Sequence, residues 1–592
     1  MTAQAYSQSH DIGCVLMART PKTTSLDFFR RQLSNTNALP QLSFLALLTG
    51  LATGGVILLF NAIMNWVLTN WVLHSSPEDF ESLQSFGRMF LPCAGGLVNG
   101  LVMHRRQLRV GVVHVMERLS RHQGQLPLRN AMFQFFGGLI ALITGQAGGR
   151  EGPAIHLGAA ASSLFGQWFE LPNNSMRTLV ACGTAAAIAG SFNTPIAGVI
   201  FAMEVVMMEY TISSFIPVIV AAVTATLLTH GVLGNVPTFS VPQVHLASLG
   251  EIPFIILAGV MIGCIAALYI TLVQQFSRLH SWSFPMRGLV AGALTGVCAL
   301  LTPEVMGIGY DTVNGALLGG IAITTLFLLV LTKSIASAAC LGLGLPLGII
   351  GPTIFIGASF GGVLGLLGQA IAPAGSSAPA LYVMLGMCAM MGAVVQAPLA
   401  ALMTVLELTA NPNIILPAML IIVVATLVTS EVFNKQSVFL TTLKALGLEY
   451  PPSPVTLHLQ RAAVASIMQR GFVRLPAVTL PQDIEAALGR KPSWIVVEES
   501  SNTAHCLLNP RDLRAHLTEL NPEEDESIDL LSIPGQRENV VNVDIRATLQ
   551  EALSAMDKNG AQAACVRRTS IPLVAPIMGV FTRNDINNYR SS

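Results

Sequence analysis

The strongest constraint on the fold is that the long central part of the chain carries almost no charge. Between residues 312 and 433, only Lys333, Glu407 and Glu431 are charged. Of all 592 residues, 11% are Asp, Glu, Lys or Arg, whereas soluble domains contain about 25%. A helix needs about 20 apolar residues to cross a bilayer. The apolar segments that recur from residue 42 to residue 433 therefore predict an all-α, polytopic membrane domain.

The composition becomes polar after residue 451, which marks a boundary between a membrane region and a soluble one. Alternating apolar and polar patterns predict a β-α-β-β-α unit at 473–520 and a second one at 540–589, separated by the acidic run 523–526. We therefore divide the chain into an N-terminal segment, a membrane domain and two α+β units, at residues 1–40, 41–450, 451–521 and 522–592.

Charge and metal-ligand patterns exclude several functions. The net charge is zero at pH 7, so no nucleic-acid partner is expected. The nine cysteines form no C-x-x-C pair and the twelve histidines have no metal-ligand spacing, so we expect neither disulfides nor a metal site. His156 is interpreted as a helix-packing residue. An intramembrane enzyme would need a nucleophile or metal cluster at membrane depth, and the sequence shows neither, so no enzymatic activity is expected.

The motif GREGP at residues 149–153 is the most informative local pattern. Arg150 and Glu151 are the only charged residues between 135 and 168. A charge that persists at membrane depth is a functional hypothesis by default. Pro153 fits the first turn of a helix, glycines let backbone N–H groups approach a ligand, and a helix N-terminus favours anions. The motif predicts an anion site with a carboxylate where the anion would bind.

Two parts of the membrane region repeat the same pattern. Residues 183–204 read GTAAAIAGSFNTPIAGVIFAME, and residues 386–407 read GMCAMMGAVVQAPLAALMTVLE with the same spacing of glycine, proline and glutamate. GPAIHLGA at 152–159 likewise resembles GPTIFIGA at 351–358. Chance likeness between helices of small residues is the alternative, but the shared order favours an internal repeat. Paired interruptions in two halves are typical of a transporter binding site.

These residues resemble the CLC family of chloride channels and chloride/proton exchangers. Besides GREGP, residues 190–195 (GSFNTP) are similar to the family's GxFxxP motif, and residues 348–352 (GIIGP) are similar to GxFxP with Ile350 replacing phenylalanine. The resemblance covers most of residues 42–447. The tail resembles a pair of CBS domains, which many family members carry on the cytoplasmic side.

The resemblance implies a homodimer in the lipid membrane, with one pathway for chloride or a similar anion in each subunit. It also implies an inverted repeat of short tilted helices, with the N-terminus and the tail in the cytoplasm. Glu151 inherits the role of the gate, whose carboxylate mimics a bound anion; a helix-capping carboxylate without a transport role is the alternative. The anion-binding residues implied around it are Gly149, Arg150, Gly152, Gly348, Ile349 and Ile350.

The chain departs from the family where exchangers carry a second, internal glutamate that takes up protons. Counting from Pro195, this position is Val205, which cannot carry a proton. Glu204 is adjacent, but on a helix its side chain points about 100° away. Its repeat mate Glu407 suggests a shared structural role, either capping or pairing. The loss favours passive, channel-like transport; a chloride/proton antiporter that uses Glu204 or a water path is the alternative.

The side chains that usually hold the central anion also differ. The family's serine position falls near Val110 and its tyrosine position falls at Phe439, and neither residue has a side-chain donor. Two neutral hydrogen bonds, each contributing about 0.5–1.5 kcal/mol, are lost. The sequence therefore predicts weaker and less selective anion binding, unless backbone N–H groups compensate.

The resemblance of the tail to CBS domains raises the question of a nucleotide ligand. No cofactor is required, but an adenine nucleotide is a candidate ligand. Thr582 and Asp585 fit the [ST]-x-x-D pattern that contacts ribose in CBS pairs, whereas Asn509 and Asp512 fit it less well. Plain helix N-caps formed by Thr582 and Asn509 are the alternative. A nucleotide-sensing receptor without transport activity is a further alternative for the whole chain.

Overall fold

The computed structural model places most of the chain in a helical membrane region and a mixed α/β tail. It describes residues 32–33, 38–73, 76–104, 109–234, 239, 241–242, 244–371, 377–445, 447–448, 454–500, 503–520, 527–533, 535, 537–568 and 576–591. Most of the predicted 1–40 segment and the acidic run 523–526 lie outside these residues.

The helices of the first half begin near the predicted start of the membrane region. They are α1 (Leu39–Val67), α2 (Ser85–His104), α3 (Gly111–Arg121), α4 (Leu128–Ile143), α5 (Glu151–Trp168), α6 (Asn173–Phe192), α7 (Pro195–Phe201) and α8 (Ile212–Leu233). Two of them continue as π-helical segments, Leu68–Val72 after α1 and Ala202–Met207 after α7. Proline occupies the first or second position of α1 and α7, where its missing N–H costs nothing.

The second half follows the same alternation of long and short helices. Its helices are α9 (Ile252–Ser277), α10 (Phe284–Leu301), α11 (Tyr310–Leu317), α12 (Ile323–Gly342), α13 (Ile350–Ile371), α14 (Pro379–Val395), α15 (Pro398–Thr409), α16 (Ile415–Leu427) and α17 (Val438–Ala445). By length and composition, eight helices among the described residues can cross a membrane, and α4, α7, α14 and α15 belong to shorter apolar segments. The predicted polytopic helical fold is confirmed.

The internal repeat appears as the same helix contact in both halves. A Cβ on Gly158 of α5 would lie 2.3 Å from the carbonyl oxygen of Gly183 in α6. A Cβ on Gly357 of α13 would likewise lie 2.3 Å from the carbonyl oxygen of Gly386 in α14. Small residues let membrane helices approach until their backbones touch. Helices α5, α6, α13 and α14 are accordingly the most buried part of the membrane region.

The tail contains two units with the predicted element order. After helix α18 (Pro454–Gln460) come β1 (Phe472–Pro476), β2 (Val478–Thr479), α19 (Pro481–Gly489), β3 (Trp494–Ser500), β4 (Thr503–Leu508), α20 (Pro510–Leu520), β5 (Ile528–Asp529), β6 (Arg537–Asp544), α21 (Leu549–Asn559), β7 (Ala563–Arg567), β8 (Ile577–Thr582) and α22 (Arg583–Ser591). One sheet has the order β1-β3-β4-β6-β7-β8. In each unit the first two of these strands pair in parallel and the third is antiparallel, and β4 pairs with β6 to join the units.

Direct polar contacts attach the tail to the membrane region. At the start of α6, the Asn173 backbone N–H donates to the Arg546 carbonyl at 3.0 Å, and its side-chain amide donates to Glu551 at 2.9 Å. Burial raises the pKa of the Glu551 carboxyl. Arg461 forms an ion pair with Glu209 at 3.0 Å, just after the π-helical end of α7. The second unit thus contacts the segment that follows α5.

Replacing Gly158 with leucine should destabilise the membrane region, because the side chain must enter the backbone contact between α5 and α6. Overpacking of this kind costs about 1–3 kcal/mol, and more where the backbone itself is in the way. Gly55→Leu is the matched control, since Gly55 is exposed on α1 and a Cβ there meets nothing within 4 Å. Thermal unfolding of the purified protein in detergent compares the two; equal transition temperatures would contradict the close contact.

Candidate anion site

The two glycine motifs meet in a short backbone bridge. The Gly149 N–H donates to the Gly348 carbonyl at 3.0 Å, and the Gly348 N–H donates to the Gly149 carbonyl at 2.8 Å. Helix α5 begins at Glu151 and helix α13 begins at Ile350, so the bridge brings both helix N-termini together. Each N-terminus carries partial positive charge and free N–H donors. The pair of motifs predicted from the repeat therefore forms one site.

The Glu151 carboxylate fills the space between these helix ends. Glu151 is 1% exposed, and its Oε1 accepts a hydrogen bond from the Gly351 N–H at 2.9 Å. A Cβ on Gly149 would lie 2.0 Å from Glu151 Oε2, and one on Gly348 would lie 2.4 Å from the carboxylate carbon. A side chain at Gly149 would displace the carboxylate, and one at Gly348 would also meet the Gly152 backbone nitrogen at 2.4 Å. The second oxygen, Oε2, is buried without a hydrogen-bond partner among the described residues.

The expected roles of several backbone groups change. The N–H groups of Gly149 and Gly348 were expected to coordinate the anion, but they donate to each other across the bridge. Gly152 packs against the backbone, since a Cβ there would lie 2.5 Å from the Leu347 carbonyl oxygen. The Gly351 N–H, one residue beyond the predicted Gly348–Ile350 stretch, donates to the carboxylate at 2.9 Å, and the backbone N–H of the predicted Ile350 also interacts with it.

A cavity of about 600 Å³ reaches Glu151. The predicted residues that line it are Val110, Gly348, Ile349, Ile350 and Phe439, in addition to Glu151 itself. Helix α17, the last helix before the tail, lines the cavity from Val438 to Ala445. The cavity thus extends from the Glu151 carboxylate toward the side of the membrane region that carries the tail.

The two predicted substitutions, Val110 and Phe439, present apolar side chains to this cavity. Val110 directly precedes α3, and the N–H of Gly111 donates to the Gln134 side chain at 2.7 Å. Gln134 in turn donates to the Pro346 carbonyl at 3.0 Å. Gln134 therefore links the start of α3 to the loop that leads into the second glycine motif. It also accepts the hydrogen bond of the Gly111 N–H, the backbone donor next to Val110.

Arg150 lies away from the cavity. Its guanidinium is stacked 4.9 Å from the centre of the Phe192 ring and 5.9 Å from that of Tyr310. Among the described residues that line the cavity, Arg150 does not occur. The turn at the start of α5 directs this side chain toward two aromatic rings, and the role of Arg150 in anion binding stays a prediction.

Glu204 and Glu407 cap each other's repeat-related helices. Glu204 accepts hydrogen bonds from the N–H groups of Leu399 and Ala400 at the start of α15, at 3.3 and 2.7 Å. Glu407 accepts from the first N–H groups of α7, at 2.9 and 2.7 Å. This reciprocal capping is the shared structural role that the repeat suggested. Val205, the position of the missing proton glutamate, is buried in the apolar core.

A buried histidine pair joins α3 to α5. The His114 Nδ1 and the His156 Nε2 are 2.8 Å apart, and the rings stack with centroids 5.1 Å apart. His114 lines the cavity, whereas His156 is fully buried. The sequence predicted only a packing role for His156, because nothing in the spacing of residues 114 and 156 shows that α3 lies against α5.

Besides His114, four basic residues of the cavity wall escaped the sequence analysis. They are Arg109, Arg278, His280 and Arg287. Arg109 pairs with Glu117, and Arg278 donates to Gln275 at 3.1 Å. The sequence did contain a signal for two of these residues, since Arg278 and Arg287 are the only Asp, Glu, Lys or Arg residues between positions 252 and 301. A positive cavity wall favours the entry of anions.

In the tail, the predicted nucleotide residues form a helix cap. Asp585 accepts hydrogen bonds from the Thr582 N–H and hydroxyl at 2.7 and 2.9 Å, and from the Gln469 side chain at 3.1 Å. Asn509 accepts from the N–H of Arg511 at 3.0 Å, and Asp512 lies against Gly535. The capping arrangement that was the alternative to nucleotide binding is therefore present at both positions.

Comparison with known proteins agrees with this geometry. The family model described as voltage gated chloride channel matches residues 91–430. A putative chloride channel protein, ClcB-like, of Ralstonia nicotianae is 31% identical over 351 residues, which are 57% of this chain and 82% of the relative. The H(+)/Cl(-) exchange transporter ClcA of Vibrio cholerae is 28% identical over 418 residues, covering 68% and 88% of the two chains.

Solved structures share the fold. A slow cyanobacterial Cl-/H+ antiporter superimposes with a TM-score of 0.59 at 22% identity, covering 68% of this chain and 97% of that one. A eukaryotic CLC transporter superimposes with a TM-score of 0.57 at 18% identity and covers 93% of this chain and 99% of that one. With the family model matching more than half of its residues, this chain belongs to the voltage-gated chloride channel (CLC) family.

Proposed function

We propose that the protein conducts chloride or a similar small anion passively across a membrane, with Glu151 as the gate. The observation that carries this proposal is the position of the Glu151 carboxylate, which is buried between two helix N-termini at the end of a cavity. The carboxylate occupies the position that the positive helix ends would offer to an anion. It therefore competes with the transported ion for the same place.

The gate opens when the carboxylate is protonated or leaves this position. A neutral side chain no longer matches the positive helix ends, so an anion from the cavity replaces it. The bridge between Gly149 and Gly348 holds the helix ends in place throughout, because its two hydrogen bonds do not involve Glu151. Only the carboxylate has to move.

Passive transport is favoured over proton exchange by the residues on the tail side of the gate. Val205 has no proton to give, and both Glu204 oxygens accept hydrogen bonds from the start of α15. The apolar Val110 and Phe439 leave the cavity without hydroxyl groups at these positions. Weak anion binding suits conduction, because an ion must leave as easily as it enters.

A chloride/proton antiporter is the second candidate. The similar ClcA is described as an exchange transporter, and the His114–His156 pair joins the cavity wall to the helix that begins at Glu151. The ring nitrogens of this pair offer a proton-binding site in addition to Glu204 and a water path.

We further propose that two subunits associate in the membrane, each with its own pathway, and that the N-terminus and the tail lie in the cytoplasm. Large apolar side chains exposed on α7, α8, α15 and α16 supply a surface for lipid and for the second subunit; they include Ile196, Ile212, Leu399 and Leu416. The tail is proposed to be a CBS pair. The cavity would then open toward the cytoplasm.

Glu151→Gln should raise anion flux severalfold, because the amide has the shape of a protonated carboxyl and no charge to compete with the anion. Chloride efflux from proteoliposomes at equal protein density measures the change. Glu407→Gln is the matched control; it removes a half-buried carboxylate of the membrane region but retains an oxygen to cap α7. An unchanged efflux for Glu151→Gln would remove this residue from the gate.

Passive transport predicts that an imposed chloride gradient drives no uphill proton movement. The internal pH of proteoliposomes, followed with a trapped dye, tests this. Proton movement against its gradient at a fixed ratio to chloride would establish the antiporter instead. In that case Glu204→Gln and His114→Gln, examined separately, identify which group carries the proton.

An adenine nucleotide is the ligand proposed for the tail. Calorimetry of the full-length protein in detergent with ATP, ADP and AMP should show binding of at least one nucleotide. Asp585→Ala should abolish the heat, whereas Asp483→Ala, at an exposed site in the first turn of α19, should preserve it. The absence of heat with all three nucleotides would leave Asp585 as a helix-capping residue.

A further inference from the structure

Arg287 is a buried cation in the cavity wall. It lies in the first turn of α10, only 7% of the residue is exposed, and it lines the same cavity as Glu151. Its Nε is a buried donor without a hydrogen-bond partner. Among the described residues, no carboxylate lies within ion-pair distance of its guanidinium. An isolated charge in such a place is costly unless something in the cavity compensates it.

The guanidinium is held in a fixed position. Its central carbon lies 3.8 Å from the centre of the Phe284 ring, one turn earlier in the chain. A Cβ on Gly344, which has a φ of +87°, would lie 3.8 Å from Nη1. The charge therefore lies beside the loop that runs from Gly344 into the Gly348 motif. Side chains that are fixed before binding lose little entropy when a ligand arrives.

The backbone that follows Arg287 in α10 is constrained by close packing against α2. A Cβ on Gly288 would lie 2.0 Å from the Gly96 carbonyl oxygen, and one on Gly292 would lie 2.1 Å from the Pro92 carbonyl oxygen. These contacts press α10 against α2. The first turn of α10 cannot rotate to carry Arg287 out to solvent without breaking them.

The other charges of the cavity do not neutralise Arg287. Glu117 pairs with Arg109, and the Glu151 carboxylate accepts its hydrogen bond from Gly351. Arg278 is exposed and donates to Gln275, so solvent and a neighbouring side chain stabilise it. Arg287 differs from these residues in being both buried and without a protein counter-ion.

We infer that Arg287 is an anion-binding residue of the transport pathway, which holds a small monovalent anion in the cavity before it reaches Glu151. This inference rests on the proposed anion transport and adds a site to it. The guanidinium supplies the donors that Val110 and Phe439 lack. Its planar N–H fork binds planar oxyanions through two parallel hydrogen bonds, so the site favours nitrate more than a hydroxyl-lined site would.

The test is the concentration dependence of anion flux in proteoliposomes, with chloride and with nitrate. Arg287→Gln should raise the half-saturating chloride concentration at least roughly tenfold, because a hydrogen bond to a charged group is lost. Arg129→Gln is the matched control and should change it less than about twofold, because Arg129 is exposed at the start of α4, is not among the described residues that line the cavity, and an exposed charge is screened. Arg287→Lys should retain chloride transport but lower the preference for nitrate.

Each outcome decides the question. If the wild type transports anions and Arg287→Gln leaves the half-saturating chloride concentration unchanged, the inference is overturned. The proposed function is then still intact. A wild type without anion flux would overturn the proposed function itself. If Arg287→Gln is not monodisperse after purification, its flux cannot be interpreted. The chloride and nitrate flux of Arg287→Lys then decides. Unchanged half-saturating concentrations for both chloride and nitrate in that variant would show that the guanidinium does not bind the anion.

Discussion

The site depends on the two hydrogen bonds between Gly149 and Gly348. This bridge places the N-terminus of α5 against that of α13, so two partially positive helix ends face one small space. The Glu151 carboxylate fits there only because neither glycine has a Cβ, which would lie within 2.4 Å of carboxylate atoms. A single local arrangement therefore joins the two halves of the repeat, directs two partially positive helix ends toward one space and leaves room there for the Glu151 carboxylate.

Other buried and half-buried charges of the membrane region show how such charges are usually stabilised. Lys333 donates to the carbonyls of Val305 and Gly307 at 2.9 Å, and the Phe355 ring lies 4.4 Å from its ammonium. Glu204 and Glu407 each cap a helix through two hydrogen bonds. Protein groups hydrogen-bond to these charges, so a transported ion is not needed to stabilise them. Glu151 and Arg287 differ, since both face the cavity and each retains a buried polar atom without a protein partner.

The sequence predicted the helical membrane fold, the repeat and the residues around Glu151, because charge density, glycine motifs and spacing are written along the chain. Through a family resemblance it placed Val110 and Phe439 at the serine and tyrosine positions of the central anion site, and both residues line the cavity. It did not predict the bridge between Gly149 and Gly348, the direction of the Arg150 side chain or the histidine pair. These features depend on which helices lie side by side, and no local pattern specifies that. Arg287 was visible as a rare charge in an apolar segment, but its exposure to the cavity follows from the packing of α10 on α2.

The arrangement changes how the absence of the second glutamate is interpreted. Considered by itself, Val205 indicates only that the internal, proton-carrying glutamate of exchangers has been lost. Val110, Phe439 and Arg287 indicate a different balance, in which positions 110 and 439 lack a hydroxyl donor and a fixed positive charge lies in the cavity wall. A fixed charge attracts anions over a longer range than a hydroxyl group and discriminates less between them. In the proposed passive mechanism, such a cavity would supply anions to Glu151 without a proton being exchanged at the same end.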